Sequence, residues 1–150
     1  VSADEIDAFE QELLAEHPDW GESGTLSHRY FDRAGKPMSF ARWVAIMEKD
    51  PDSRIVAHTW LVDSTAVVLV STVWLGMDHN FSAVWNDDSP PLIFETMVFG
   101  GPWDEDGDQE RYATSAAARA GHDRALALVR DRLPGCLEVT ESEARARSEG

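Results

Sequence analysis

The sequence has one cysteine, Cys136. An internal disulfide is therefore excluded, and a reducing cytoplasm is compatible with the chain. No apolar run approaches the ~20 residues that span a bilayer. The first residues, Val1-Ser2-Ala3-Asp4-Glu5, are acidic and lack the apolar core of a signal peptide. The chain reads as soluble and cytoplasmic. Basic residues are scarce: 13 Lys and Arg stand against 28 Asp and Glu, a formal net charge of −15. Direct binding to nucleic acid or to an anionic membrane needs a basic surface, so neither is expected as a partner. A partner with a basic surface is admitted. The common signatures of catalysis and cofactor binding are absent too. There is no H-E-x-x-H, no cysteine pair, no glycine-rich phosphate loop and no G-x-S-x-G. The expectation is no metal and no cofactor.

What the sequence does contain is centred on Arg54 to Gly101. Three apolar segments lie there: Ile55 to Val62, Ala66 to Leu75 and Leu92 to Phe99. They are rich in Val, Ile, Thr, Phe and Trp and about eight to ten residues long, which suits strands. Asp63-Ser64-Thr65 is short enough to make the first two a hairpin. Gly76 to Pro91 is a long connection, the kind that often carries function. In the second segment both alternating sets are largely apolar, so it is expected as a central strand with both faces at least partly covered. Glu95 shares a side with Ile93, Met97 and Phe99 in the third, and a carboxylate there needs a partner or a raised pKa.

Around this centre, Ser2 caps a first helix with an apolar stripe at Ile6, Phe9 and Leu13, ended by His17-Pro18. Asp19 to Ser27 reads as a linker and His28 to Asp32 as a short strand. Ser39 caps a second helix, Phe40 to Lys49, with Phe40, Trp43, Val44 and Met47 at helical spacing. Gly101 to Glu110 is an acidic loop, carrying Asp104, Glu105, Asp106, Asp108 and Glu110, whose spacing does not match an EF-hand. Thr114 caps a last helix, Ser115 to Leu133. It contains Gly121, and a glycine inside a helix marks close packing or a functional approach. Together these predict an α+β domain over residues 28–134: an antiparallel sheet of three to four strands with two to three helices packed on it. Residues 1–27 form an acidic N-terminal helix and linker, and residues 135–150 a disordered tail.

Three blocks carry a family resemblance: Trp74-Leu75-Gly76-Met77-Asp78-His79-Asn80-Phe81, Pro90 to Gly101, and Arg111-Tyr112-Ala113-Thr114 followed by Ala120-Gly121-His122. Together they resemble a group of small uncharacterised proteins encoded by actinobacteria and by phages and prophages. The resemblance covers roughly Arg29 to Arg130. Residues 1 to about 27 look like an extension of the group's pattern, and Asn80 to Ser89 is longer than its Gly-rich counterpart. The resemblance implies a phage or prophage accessory role.

Two functions from different classes follow. The favoured one is a non-enzymatic protein that binds a host protein with a basic surface. Its binding residues are Trp85 and Trp103, aromatic rings beside acidic residues, with Asp104, Glu105, Asp106 and Asp108. The alternative is a small enzyme or metal-binding domain that uses Asp78, His79, Glu95 and His122. It requires those four side chains to converge in one pocket.

Overall fold

The computed structural model describes residues 1–22, 24–25, 28–80 and 89–150. Residues 81–88 of the long connection, including Trp85, lie outside the described residues. The architecture is α+β, with one antiparallel five-stranded sheet and helices packed on it.

The N-terminal helix α1 (Ala3–Glu16) starts where the Ser2 side chain accepts from the Glu5 N–H at 3.2 Å. It then packs on α2 (Phe40–Lys49). Arg42 reaches back to Asp7 at 2.6 Å and Glu10 at 2.9 Å, and the Lys49 ammonium lies 4.5 Å from the Phe9 ring centre. Ile6, Phe9, Leu13 and Leu14 are half-buried by this contact. The expected linker holds a 3₁₀ turn, Pro18–Gly21, and β1 (Gly24–Thr25), which pairs with β2 (His28–Arg29).

The main sheet contains β3 (Ile55–Val62), β4 (Val67–Trp74), β5 (Phe94–Phe99), β6 (Asp108–Tyr112) and β7 (Leu137–Val139), in the spatial order β6-β5-β4-β3-β7. The β3–β4 hairpin closes on Asp63, whose carboxylate accepts from the Thr65 and Ala66 N–H groups. β4 is central, as its two apolar faces require. Between β5 and β6 a short helix, α3 (Trp103–Asp106), replaces part of the expected acidic loop, and β6 replaces the rest.

Register assigns the faces. Leu61, Val68, Val70, Thr72, Thr96 and Val98 share one side. The long helix α4 (Ser115–Arg132), capped by Thr114, packs across that side with Ala118, Gly121, His122, Ala125 and Val129 buried. Beside it, α2 adds Phe40, Trp43, Ile46 and Met47 to a core of Tyr30, Phe31, Trp74, Ile93 and Phe94. The chain leaves β4 at Gly76, φ +73°, where any Cβ would lie 2.6 Å from Trp43 Cδ1. Glycine is required there by both backbone and space.

The C-terminal expectation is corrected. Residues 135–150 are not a disordered tail: they form β7 and the helix α5 (Glu141–Ser148). β7 pairs with β3, and α5 packs on the other face of β3 and β4 through the fully buried Ala144. A three-residue strand with two apolar side chains shows no period, and its order comes from the β3 edge that it covers.

Candidate functional site

The four residues of the enzymatic alternative do not form one site. Glu95 and His122 lie on opposite faces of the sheet. β5 pairs Thr96 with Thr72 on the α4 side and Glu95 with Val73 on the other. Among the described residues no group of three or more His, Cys, Asp or Glu is placed to hold a metal ion.

Each of the four is instead engaged locally. Asp78, its side chain 4% exposed, forms an ion pair with Arg29 at 2.7 Å. Its second oxygen accepts from the Asn80 and Leu92 N–H groups at 2.8 and 2.9 Å. It thus ties β2 to both ends of the long connection. The His79 N–H donates to the Leu92 carbonyl at 3.0 Å. Glu95 is buried and answers the sheet's oddest position with two donors from β6: Gln109 at 2.5 Å and Arg111 at 3.0 Å. The partner expected for a buried carboxylate is therefore a cross-strand arginine.

His122 sits between α4 and the sheet, 5% exposed. Its Nε2 lies 2.9 Å from Thr59 Oγ1 and its Nδ1 lies 2.7 Å from Thr72 Oγ1. Thr72 Oγ1 is 2.6 Å from Thr96 Oγ1. Burial lowers the His122 pKa, so the ring is neutral, with one nitrogen donating and the other accepting. Further along the same side the Tyr112 hydroxyl donates to Glu110 at 2.8 Å, and burial raises its pKa. Gly121 faces this phenol. The sequence signals close packing at Gly121 but does not name Tyr112 as the neighbour.

On the opposite face, His58 Nε2 lies 2.9 Å from the buried Ser71 Oγ. Sequence reasoning misses this pair, although the β3–β4 hairpin register places the two residues directly opposite. It has the distance of a nucleophile and its base. Both residues lie within paired strands, directly opposite each other, with no turn to expose the hydroxyl, so a cross-strand hydrogen bond accounts for it.

The acidic stretch after Gly101 has a definite form. Trp103 is not a surface ring: it is 5% exposed and belongs to the core of Leu61, Val68, Val70, Val98, Ala125 and Val129. The expectation that it binds a partner is corrected, since its indole anchors α3 while Arg132 lies 5.3 Å over the ring. Around that anchor Asp104, Glu105, Asp108 and Glu110 are exposed. Asp104 accepts from the Gly100 N–H at 2.7 Å, and Glu110 lies 3.8 Å from Arg124. Asp106 lies in α3 between them.

A cleft of about 590 Å³ opens between α1, α2 and the turn after Phe31, with Ile6, Met38, Ile46 and Trp74 as its apolar side. Its two arginines are already engaged: Arg42 holds Asp7 and Glu10, and Arg33 donates to the Ser53 and Ile55 carbonyls.

No protein-family model matches the chain, and no curated protein or solved structure matches it either. Among the described residues no helix is long and apolar enough to cross a membrane.

Proposed function

We propose that the protein is a non-enzymatic binding module that captures a basic surface of a host protein in the cytoplasm, as a phage or prophage accessory protein. The observation that carries this reading is the segregation of charge. Residues 100–110 hold five carboxylates and no Lys or Arg, and residues 1–22 hold eight and none. In the first of these segments the acids stand on an ordered turn and an edge strand, anchored by the buried Trp103. Carboxylates held on a rigid support attract a basic partner at long range and lose little side-chain freedom when it docks. The scattering of Asp78, His79, Glu95 and His122 over separate structural roles supports the same reading against an enzyme.

The test is a pull-down from host lysate with the tagged full chain, washed at low and high salt. A partner retained at low salt and released at high salt is expected. The double variant Glu105→Lys, Asp108→Lys should lose it, and Glu12→Lys, Glu16→Lys reports on the second acidic face. Retention indifferent to salt and to both reversals would sink the proposal.

A further inference from the structure

We propose that the outer edge of β6 takes up a basic peptide in extended conformation as an added strand, with alternate side chains entering the groove between β6 and α4. The inference rests on the acidic-interaction reading above and specifies the form of the partner segment.

Three observations meet at this edge. First, β6 is the terminal strand of the five-stranded order, and among the described residues no strand pairs with its outer side. Such an edge presents a row of unpaired N–H and C=O groups, a template for another chain. Second, α4 leaves a depression of about 120 Å³ beside that edge, lined by Thr96, Val98, Glu110 and Tyr112 from the strands and by Gly121 and Leu128 from the helix. That volume equals about four waters at ~30 Å³ each, the scale of one side chain. Leu128 is an apolar side chain 56% exposed at its rim. Third, register sorts the charges of β6. Asp108 and Glu110 pair with Val98 and Thr96, so they lie on the α4 side, while Gln109 and Arg111 lie on the other.

The occupant follows from that sorting. On an added strand, residues alternate between the two sides. Those entering the groove meet Asp108 and Glu110, so Lys or Arg fits there. Those on the far side meet Gln109 and Arg111, so they are neutral. Arg124 also borders the groove, 3.8 Å from Glu110, and an incoming lysine would share that carboxylate with it. A second copy of β6 is a poorer occupant: antiparallel self-pairing sets Asp108 and Glu110 against their own like charges, which is destabilising.

The experiment uses the full chain and a short labelled peptide in which Lys alternates with Thr, read by fluorescence anisotropy. A control peptide of the same sequence carries N-methyl groups at alternate residues, which keeps the charge and removes strand pairing. The alternating peptide is expected to bind at least about tenfold more tightly than the N-methylated one, a difference of 1.4 kcal/mol. Binding should slow amide exchange along β6. The isosteric variant Asp108→Asn, Glu110→Gln, checked for fold by circular dichroism, should lose about tenfold as well. Equal binding of the two peptides would overturn strand addition while leaving the acidic reading intact. So would a salt-sensitive partner in the pull-down with no binding of the Lys-Thr peptide. Concentration-dependent dimers that protect the β6 amides would overturn it in favour of a second copy. A pull-down with no salt-sensitive partner is the separate failure of the underlying reading.

Discussion

Gly121 lies directly against the phenol of Tyr112. A Cβ built at position 121 falls inside the van der Waals radii of Tyr112 Oη and Cζ and 2.7 Å from Cε1. The helix α4 can approach the sheet this closely only because residue 121 has no side chain.

Gly121→Ala reverses the usual helix rule as a result. In an open helix the change stabilises by about 1 kcal/mol. Here the ring must move and its hydrogen bond to Glu110 is strained, so a net loss of about 1–3 kcal/mol is expected. A shifted denaturant midpoint with an unchanged slope is the readout. Pairing the change with Tyr112→Phe tests whether the hydroxyl, rather than the ring, sets the clash.

His122 makes stability depend on pH. Burial lowers its pKa in the folded protein, so the unfolded chain binds the proton first. Stability is fully present above the unfolded value, near 6.5, and falls as pH drops through it toward the folded value. His58 is shifted in the same direction, mainly by burial, and lies on the more exposed face. Thermal unfolding between pH 7 and pH 5 should show the decline. His122→Asn should flatten it more than His58→Asn does.

Asp78 holds Arg29 and two backbone N–H groups at once. Asp78→Ala leaves the guanidinium and both donors without it, and a loss of about 2–4 kcal/mol is expected. Asp78→Asn keeps an acceptor for the backbone but not the charge, and should fall between. Equilibrium urea unfolding of the two variants checks the order.

Trp103→Ala removes a core anchor rather than a surface contact. A loss of about 3–5 kcal/mol is expected, against under about 0.5 for the exposed Glu105→Ala. Near-ultraviolet circular dichroism and the melting temperature separate the two. If Trp103→Ala melts like the parent chain, its buried placement is refuted.

Deleting residues 137–150 strips α5 and β7 from the sheet. Trp60 and Val62 then lose the strand they pair with, and the fully buried Ala144 is gone. A lower melting temperature, a red-shifted tryptophan emission and binding of a hydrophobic dye are expected together.

Local chemistry made much of this fold legible. Ser2, Ser39 and Thr114 cap the three long helices, each accepting from the N–H three residues on. Asp63 to Thr65 closes the hairpin, and the two apolar faces of β4 put it at the centre. What the sequence could not disclose depends on pairing between distant strands. Glu95 demands a partner, but Arg111 becomes that partner only through the β5–β6 register. His122 and Glu95 look like candidates for one site because sequence alone does not say which side of the sheet each one takes. Trp103 beside four carboxylates imitates a surface ring, because a helix of four residues is too short to show a buried period.

The late position of β7 has a consequence for synthesis. β3 and β4 are joined by a short turn and β5 and β6 come next in the chain, so the pairing of these four strands needs no residue beyond Tyr112. The other side of β3 is different. Its edge stays open until residues 137–139 are made, 75 to 79 positions after the residues they pair with. Until then Trp60, Leu61 and Val62 have no β7 residues to pair with, and that side of the apolar strand is complete only when all but the last fifteenth or so of the chain has been made.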